Sequence, residues 1–342
     1  MELLPLGPVT IIDTPGLDDT GELGNLRIEK TKQVLRKTDI AVLVTDASKE
    51  LNNLEKEIIS ILHKMNLKYV IAYNKADLIE KEPHPKQNEI YVSAKNNIKI
   101  TELKELIASI PMNEEKKLID GIVSAGDCVV LVTPIDSAAP KGRLILPQQQ
   151  VLRELLDKGA VSVVVREFEY EKALKALKIK PKLVITDSQV FQLISNLTPQ
   201  NIYLTSFSIL FARKKGILHN AVKGVKTLET LKDSDCILIS EGCSHHRQCD
   251  DIGSVKLPNW IQNYIGKNLN FEFTSGTSFP EKLDKYSLVI HCGGCMLNDR
   301  EVNYRYKSAI KQNIPITNYG ITIAYINNIL ERSIEVFPEI KF

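Results

Sequence analysis

The feature that most constrains this chain is an alternation. Short apolar runs (VTIID, IAVLVTD, YVIAYN, IYVSA, CVVLVTP, VSVVV, KLVIT, IYLTS, CILIS, LVIHC and IPITN) are separated by segments such as LEKEIISILHKM and VLRELLDKG. An apolar run of about four to eight residues reads as a strand buried on both faces, and apolar residues recurring every three or four positions read as an amphipathic helix. Strands alternating with helices predict an α/β fold built from parallel sheets covered by helices. Two polar breaks, MNEEKKLIDG at 112–121 and FARKKGILHN at 211–220, divide the 342 residues into three expected units, 1–112, 113–210 and 211–342. No stretch approaches the roughly 18 apolar residues of a membrane span, and the N-terminus shows no basic leader or cleavage site. A net charge of +2 gives no reason to expect nucleic acid or a membrane surface as a partner. A soluble cytoplasmic protein is the expectation.

In the first unit, VTIIDTPG places an acid and then a glycine-containing turn at a strand end. Asp13 there can hold a magnesium ion through water, and the Gly16 amide can face a terminal phosphate. Further on, VIAYNKAD ends a strand in Asn-Lys-x-Asp, and IYVSAK ends another in Ser93 and Ala94. Asp77 can accept two hydrogen bonds from a guanine edge, Lys75 can lie over the base, Asn74 can brace the loop, and the Ala94 amide can meet the guanine oxygen. The three stretches resemble the third, fourth and fifth motifs of GTPases. No G-x-x-x-x-G-K-[ST] precedes Asp13. The expectation is a chain that recognises guanine but binds and hydrolyses GTP poorly, with the intact DTPG and NKAD favouring a fragment over decay.

Six cysteines are present, and four of them fall in two clusters, CSHHRQC and HCGGC. Cys128 and Cys236 sit inside strand patterns and read as small buried hydrophobes. In a reducing compartment, clustered cysteines favour metal over disulfide. CILISEGC delivers Cys243 just past a strand end, followed by His245 and His246. YSLVIHCGGC delivers His291, Cys292 and Cys295 in the same relative place. In a parallel sheet both strand ends lie on one edge, and neighbouring strands are about 4.8 Å apart, so the three sulfurs can converge. Gly293 and Gly294 permit a tight turn. Three thiolates suit an iron–sulfur cluster. A zinc site of three cysteines and a histidine fits nearly as well, and a C-x-x-C redox pair is a third option. His245 and His291 are both candidates for a fourth ligand.

Taken together, DTPGLDD, NKAD and SAK in order, followed by CSHH, CDDIG, LPNW and HCGGCM, resemble one family, the GTPase maturation factors of FeFe-hydrogenase, HydF. The resemblance covers essentially the whole chain. It implies a partial GTPase domain, a dimerisation domain and a domain binding a four-iron four-sulfur (4Fe-4S) cluster through Cys243, Cys292 and Cys295. His245 and His291 match the motif histidines. GTP and Mg2+ belong to the complete family protein. The implied role is that of a scaffold or carrier, a homodimer or tetramer. It would receive a di-iron precursor made with two radical-SAM maturases and deliver it to the hydrogenase apoprotein. The alternative is a GTPase with a structural zinc. The middle unit shows no chemistry of its own; an exposed edge of its sheet can pair with a twin across a two-fold axis.

Overall fold

The computed structural model describes residues 2–14, 31, 33–111, 117–135, 144–242, 251–276 and 278–340. The chain divides into two compact units, Met1–Glu114 and Glu115–Phe342. No described helix is long and apolar enough to cross a membrane.

The first unit opens with a short antiparallel pair, β1 (Glu2–Leu3) and β2 (Gly7–Pro8). Its main sheet is parallel in the order β3 (Ile40–Asp46), β4 (Lys68–Asn74), β5 (Glu89–Tyr91). The crossover helix Asn53–Lys64 begins where its sequence dictates. The Asn52 side chain accepts from the Glu55 amide at 2.8 Å, and the Glu55 carboxylate accepts from the Asn52 amide at 2.7 Å. This reciprocal cap satisfies two otherwise orphaned donors of the first turn. Ile58 and Leu62 of that helix pack with Leu35 and Leu67 into a small core. The VTIID run does not behave as expected. Residues 9–14 join no strand, and Ile11 is 73% exposed. A strand exists through its hydrogen-bond ladder, and among the described residues β3 pairs only with β4, so no ladder takes up this run.

The second unit holds two parallel sheets of identical topology. One runs β7 (Val161–Val165), β6 (Cys128–Val132), β8 (Leu183–Thr186), β9 (Tyr203–Ser206). The other runs β11 (Asn270–Thr274), β10 (Cys236–Ser240), β12 (Leu288–His291), β13 (Ile316–Asn318). In each, the first strand in sequence is flanked by the second and third, which makes a topological switch point between first and third. The central strands β6, β8 and β12 are buried along their whole length, as expected for sheets covered on both faces. β11, the edge strand NFEFT, escapes a search for apolar runs because its phenylalanines alternate with polar residues and its burial is partial.

One hydrophobic core runs through both sheets of this unit, from Leu118 to Phe337. Side chains from the C-terminal part reinforce it by donating to backbone carbonyls of the preceding part. Arg332 donates to Ser195 O and Thr198 O, each at 2.8 Å, and to Pro199 O at 2.9 Å. Conversely, Arg213 pairs with Glu339 at 2.6 Å and donates to Asp120 O at 2.9 Å.

Candidate functional site

Two sets of strand-end loops carry the candidate residues. In the first unit, β4 ends at Asn74, Lys75 adopts the left-handed region at φ 65°, and a short 3-10 turn, Ala76–Leu78, carries Asp77. Asn74 Oδ1 accepts from the Ala94 amide at 3.0 Å, which ties the NKAD loop to the SAK loop. Ser93 is buried, and its hydroxyl accepts from the Asn96 amide at 3.2 Å. Sequence reasoning placed Lys75 over a base. Here its ammonium pairs with Asp46 Oδ2 at 2.7 Å, and Asp46 also accepts from the Ser48 amide and hydroxyl. Those hydrogen bonds, Lys75's first, hold the Asp46 carboxyl far below the usual carboxylate range. Asp46 was not a sequence candidate; the signal for it was an acid ending a strand, the same signal used for Asp13. Asn74, Lys75, Asp77, Ser93 and Ala94 therefore share one sheet edge. Asp13 sits exposed in the irregular segment, and Gly16 lies outside the described residues.

The second set lies at the switch point between β10 and β12, whose ends are level because Ser240 pairs in register with His291. The ladder continues one step further, with the Cys292 amide donating to Ser240 O at 2.9 Å. The Cys292 sulfur then accepts two backbone amides, Gly242 at 3.0 Å and Gly294 at 3.3 Å. Gly294 has φ +63°, a conformation that a residue with a Cβ adopts at a cost, and this turns the loop back toward the sulfur. Gly242 is the residue before Cys243 in the chain, and a Cβ on it would lie 3.5 Å from the Cys292 sulfur. Cys295 is half-buried, and burial pushes its thiol pKa up. Cys243 and His245 lie outside the described residues. Among the described residues no three His, Cys, Asp or Glu side chains gather as a metal site.

His291 points the other way. Its ring is fully buried; Nδ1 lies 2.7 Å from Cys292 O and Nε2 lies 3.2 Å from the Arg305 guanidinium. A carbonyl can only accept and a guanidinium can only donate, so Nδ1 carries the proton and Nε2 offers its lone pair to Arg305. Burial first, and then the Arg305 charge, push the imidazole pKa down to about 3. Arg305 is itself fully buried on the helix Asp299–Lys311. It donates to Glu301 at 2.8 Å, to the Ser240 hydroxyl at 3.2 Å and to Gly276 O at 2.7 Å, and its guanidinium lies 5.3 Å from the Phe279 ring centre. Beside the loop, the Tyr319 hydroxyl donates to buried Glu241 at 3.2 Å, and burial followed by the charges of Glu241 and Cys292 holds it well above the ordinary phenol range. Arg305, Glu301, Glu241 and Tyr319 were all missed from sequence. The signal for two of them was present: Asn298 caps a helix directly after HCGGC, and Glu301 and Arg305 follow at i,i+4.

Comparison with known proteins bears on both sets of loops. Residues 118–216 match the model of the hydrogen maturase F dimerization domain, and residues 219–336 match that of the hydrogen maturase F tetramerization domain. Residues 8–141 match the elongation factor Tu GTP binding domain. Among curated proteins, the tRNA modification GTPase MnmE of Thermoanaerobacter sp. (strain X514) is 41% identical over 75 residues, which is 22% of this chain and 16% of that protein. GTPase Der of Campylobacter curvus (strain 525.92) is 34% identical over 74 residues, 21% of this chain and 16% of that protein. The chain thus spans about one-sixth of the length of these curated relatives.

Proposed function

Since the chain belongs to the hydrogen maturase F family, whose dimerization and tetramerization domains cover residues 118–216 and 219–336, we propose that it serves hydrogenase maturation as a cluster-bearing scaffold. Cys292 and Cys295, together with Cys243, hold a 4Fe-4S cluster at the crevice beyond β10 and β12. His245 is the candidate for the fourth position. The observation that carries this reading is the pair of amides aimed at the Cys292 sulfur from Gly242 and Gly294. Amide donors stabilise sulfur as thiolate, the form that binds iron, and the donor on one side is the residue adjoining Cys243. His291, with both nitrogens engaged, acts as a support for the loop rather than as a ligand. When bound, the cluster supplies a one-electron couple and an iron with an exchangeable position. The cargo is a di-iron precursor made with two radical-SAM maturases and passed to the FeFe-hydrogenase apoprotein.

The first unit is a GTP-binding module in this reading. Asp77 reads the guanine edge, Asn74 braces the loops through Ala94, and Asp13 and Gly16 serve Mg2+ and the terminal phosphate.

The test of the cluster is anaerobic purification followed by iron, sulfide and zinc analysis with an EPR spectrum of the reduced protein. About four irons and four sulfides per chain are expected for a cubane cluster. One zinc per chain without sulfide would replace the proposal with a structural zinc site.

Self-association belongs to the family, and we place the dimer contact at the β7 edge. Within β7, Val161 donates inward to Asp127 O at 2.9 Å and Val165 O accepts from Thr133 at 2.9 Å, so the residues of opposite parity, Ser162 and Val164, turn their amides to the open edge. Val164→Pro removes one outward donor and leaves the internal ladder intact. It is expected to shift the protein toward half its assembled mass by light scattering, with far-UV circular dichroism unchanged. An unaltered mass would exclude this edge.

A further inference from the structure

Lys215 follows the helix Phe207–Lys214, which lies within the residues matched to the dimerization domain. It is 6% exposed. Its ammonium reaches across to the loop that carries the cysteines and meets Gly294 O at 3.1 Å, Leu297 O at 2.8 Å and Asp299 Oδ1 at 3.3 Å. An ammonium has three donors, and these are three acceptors, so the geometry specifies the charged form. The backbone is tied in as well: Lys215 O accepts from the Asn303 side chain at 3.1 Å, and the same amide donates to Asp299 O at 2.8 Å. The counter-charge is incomplete, because the Asp299 side chain is 53% exposed and its charge is screened by water, whereas the lysine is enclosed. The two carbonyls it holds flank Cys295 in the chain, which sets the positive charge beside that residue.

We propose that Lys215 is a positioning residue for the cluster loop: it fixes the segment from Gly294 to Asp299 and places a buried positive charge beside Cys295 that raises the reduction potential of the cluster. This rests on the reading of Cys292 and Cys295 as cluster ligands. A cluster gains negative charge on reduction, so a nearby cation favours the reduced form. The residue comes from the dimerization domain and the cysteines from the tetramerization domain, so each supplies part of one site.

The test uses the full chain with its cluster reconstituted anaerobically, comparing wild type, Lys215→Met, Lys215→Gln and Lys215→Arg. The readouts are iron per chain, the midpoint potential from an EPR-monitored titration, and the thermal midpoint of the apoprotein. Lys215→Met is expected to retain its iron while the reduced-to-oxidised ratio at fixed potential falls about tenfold. That is the size of effect a unit charge exerts over roughly 10 Å at an effective dielectric of about 20, and it corresponds to about 59 mV for a one-electron couple. Lys215→Arg is expected to return the potential toward wild type. If Lys215→Met does not fold, Lys215→Gln keeps a donor for the carbonyls and reads the loss of charge alone. A folded neutral variant with wild-type potential would overturn the proposal and leave the cluster reading standing. Absence of a cluster in wild type would overturn both, and that outcome is visible in the first iron analysis.

Discussion

If the proposed cluster is bound, with about four irons per chain, Cys292→Ala is expected to release essentially all of that iron, with the EPR signal of the reduced cluster lost in parallel. Cys292 is the sulfur on which the crevice converges: its own amide extends the ladder of β12, and its sulfur takes amides from the ends of both strands. Without it, only two of the three proposed cysteine ligands remain, and the Gly242 and Gly294 amides are aimed at a vacated space. The fold itself should change little, because deleting one thiol removes few packing contacts, and an apoprotein melt within about 1 kcal/mol of wild type is the control. Cys292→Ser, which retains an oxygen donor, should keep a fraction of the iron. Full iron and an unaltered spectrum in Cys292→Ala would remove this residue from the ligand set.

Arg305→Ala is expected to give the largest loss of stability, about 3–5 kcal/mol by chemical denaturation. The guanidinium is fully buried, and its removal leaves the Glu301 carboxylate, 5% exposed, as an uncompensated charge. It also strips donors from the Ser240 hydroxyl, Gly276 O and the His291 ring, all at the ends of strands that frame the crevice. The loss reflects the isolated carboxylate more than the worth of the pair, so neutralising Glu301 as well should recover part of it. Arg305→Met with Glu301→Gln is therefore expected to be more stable than Arg305→Ala alone. If the single and double variants unfold at the same denaturant concentration as wild type, the buried network is not what holds these strand ends together.

The sequence made the central strands easy to read. CVVLVTP, KLVIT and LVIHC appear in the structure as Cys128–Val132, Leu183–Thr186 and Leu288–His291. Continuous apolar runs survive as strands because covered parallel sheets bury both faces. Where a strand depends on its neighbours, the pattern misleads in both directions. VTIID has the composition of a strand but no ladder among the described residues, and NFEFT has a ladder but only half the composition. That the loops after β10 and β12 meet was legible because strand ends in one parallel sheet share an edge; the expected convergence of Cys243 with Cys292 and Cys295 falls on a residue outside the described ones. The direction of His291 was not legible. Its place beside two cysteines suggests a ligand, yet it is the last residue of a wholly buried strand, and its partner, Arg305, comes from the following helix. On paper Glu301 and Arg305 form an ordinary i,i+4 surface pair; only the packing of that helix against β12 and β13 turns it inward.

The single core that joins both sheets of the second unit has a thermodynamic consequence. Two stretches that are recognisable separately, one per sheet, need not be separate when they melt. Arg332, Arg213 and Lys215 each hold backbone or charge on the opposite side of that division, Arg213 through Glu339, and Leu118 and Phe337 belong to the same apolar interior. Loosening either half uncovers apolar surface of the other, so partial opening along that division carries much of the free energy of opening the whole. The boundary between the two domains is a border of ancestry rather than a line of cleavage, and heating or proteolysis should treat residues from 118 onward as one cooperative body.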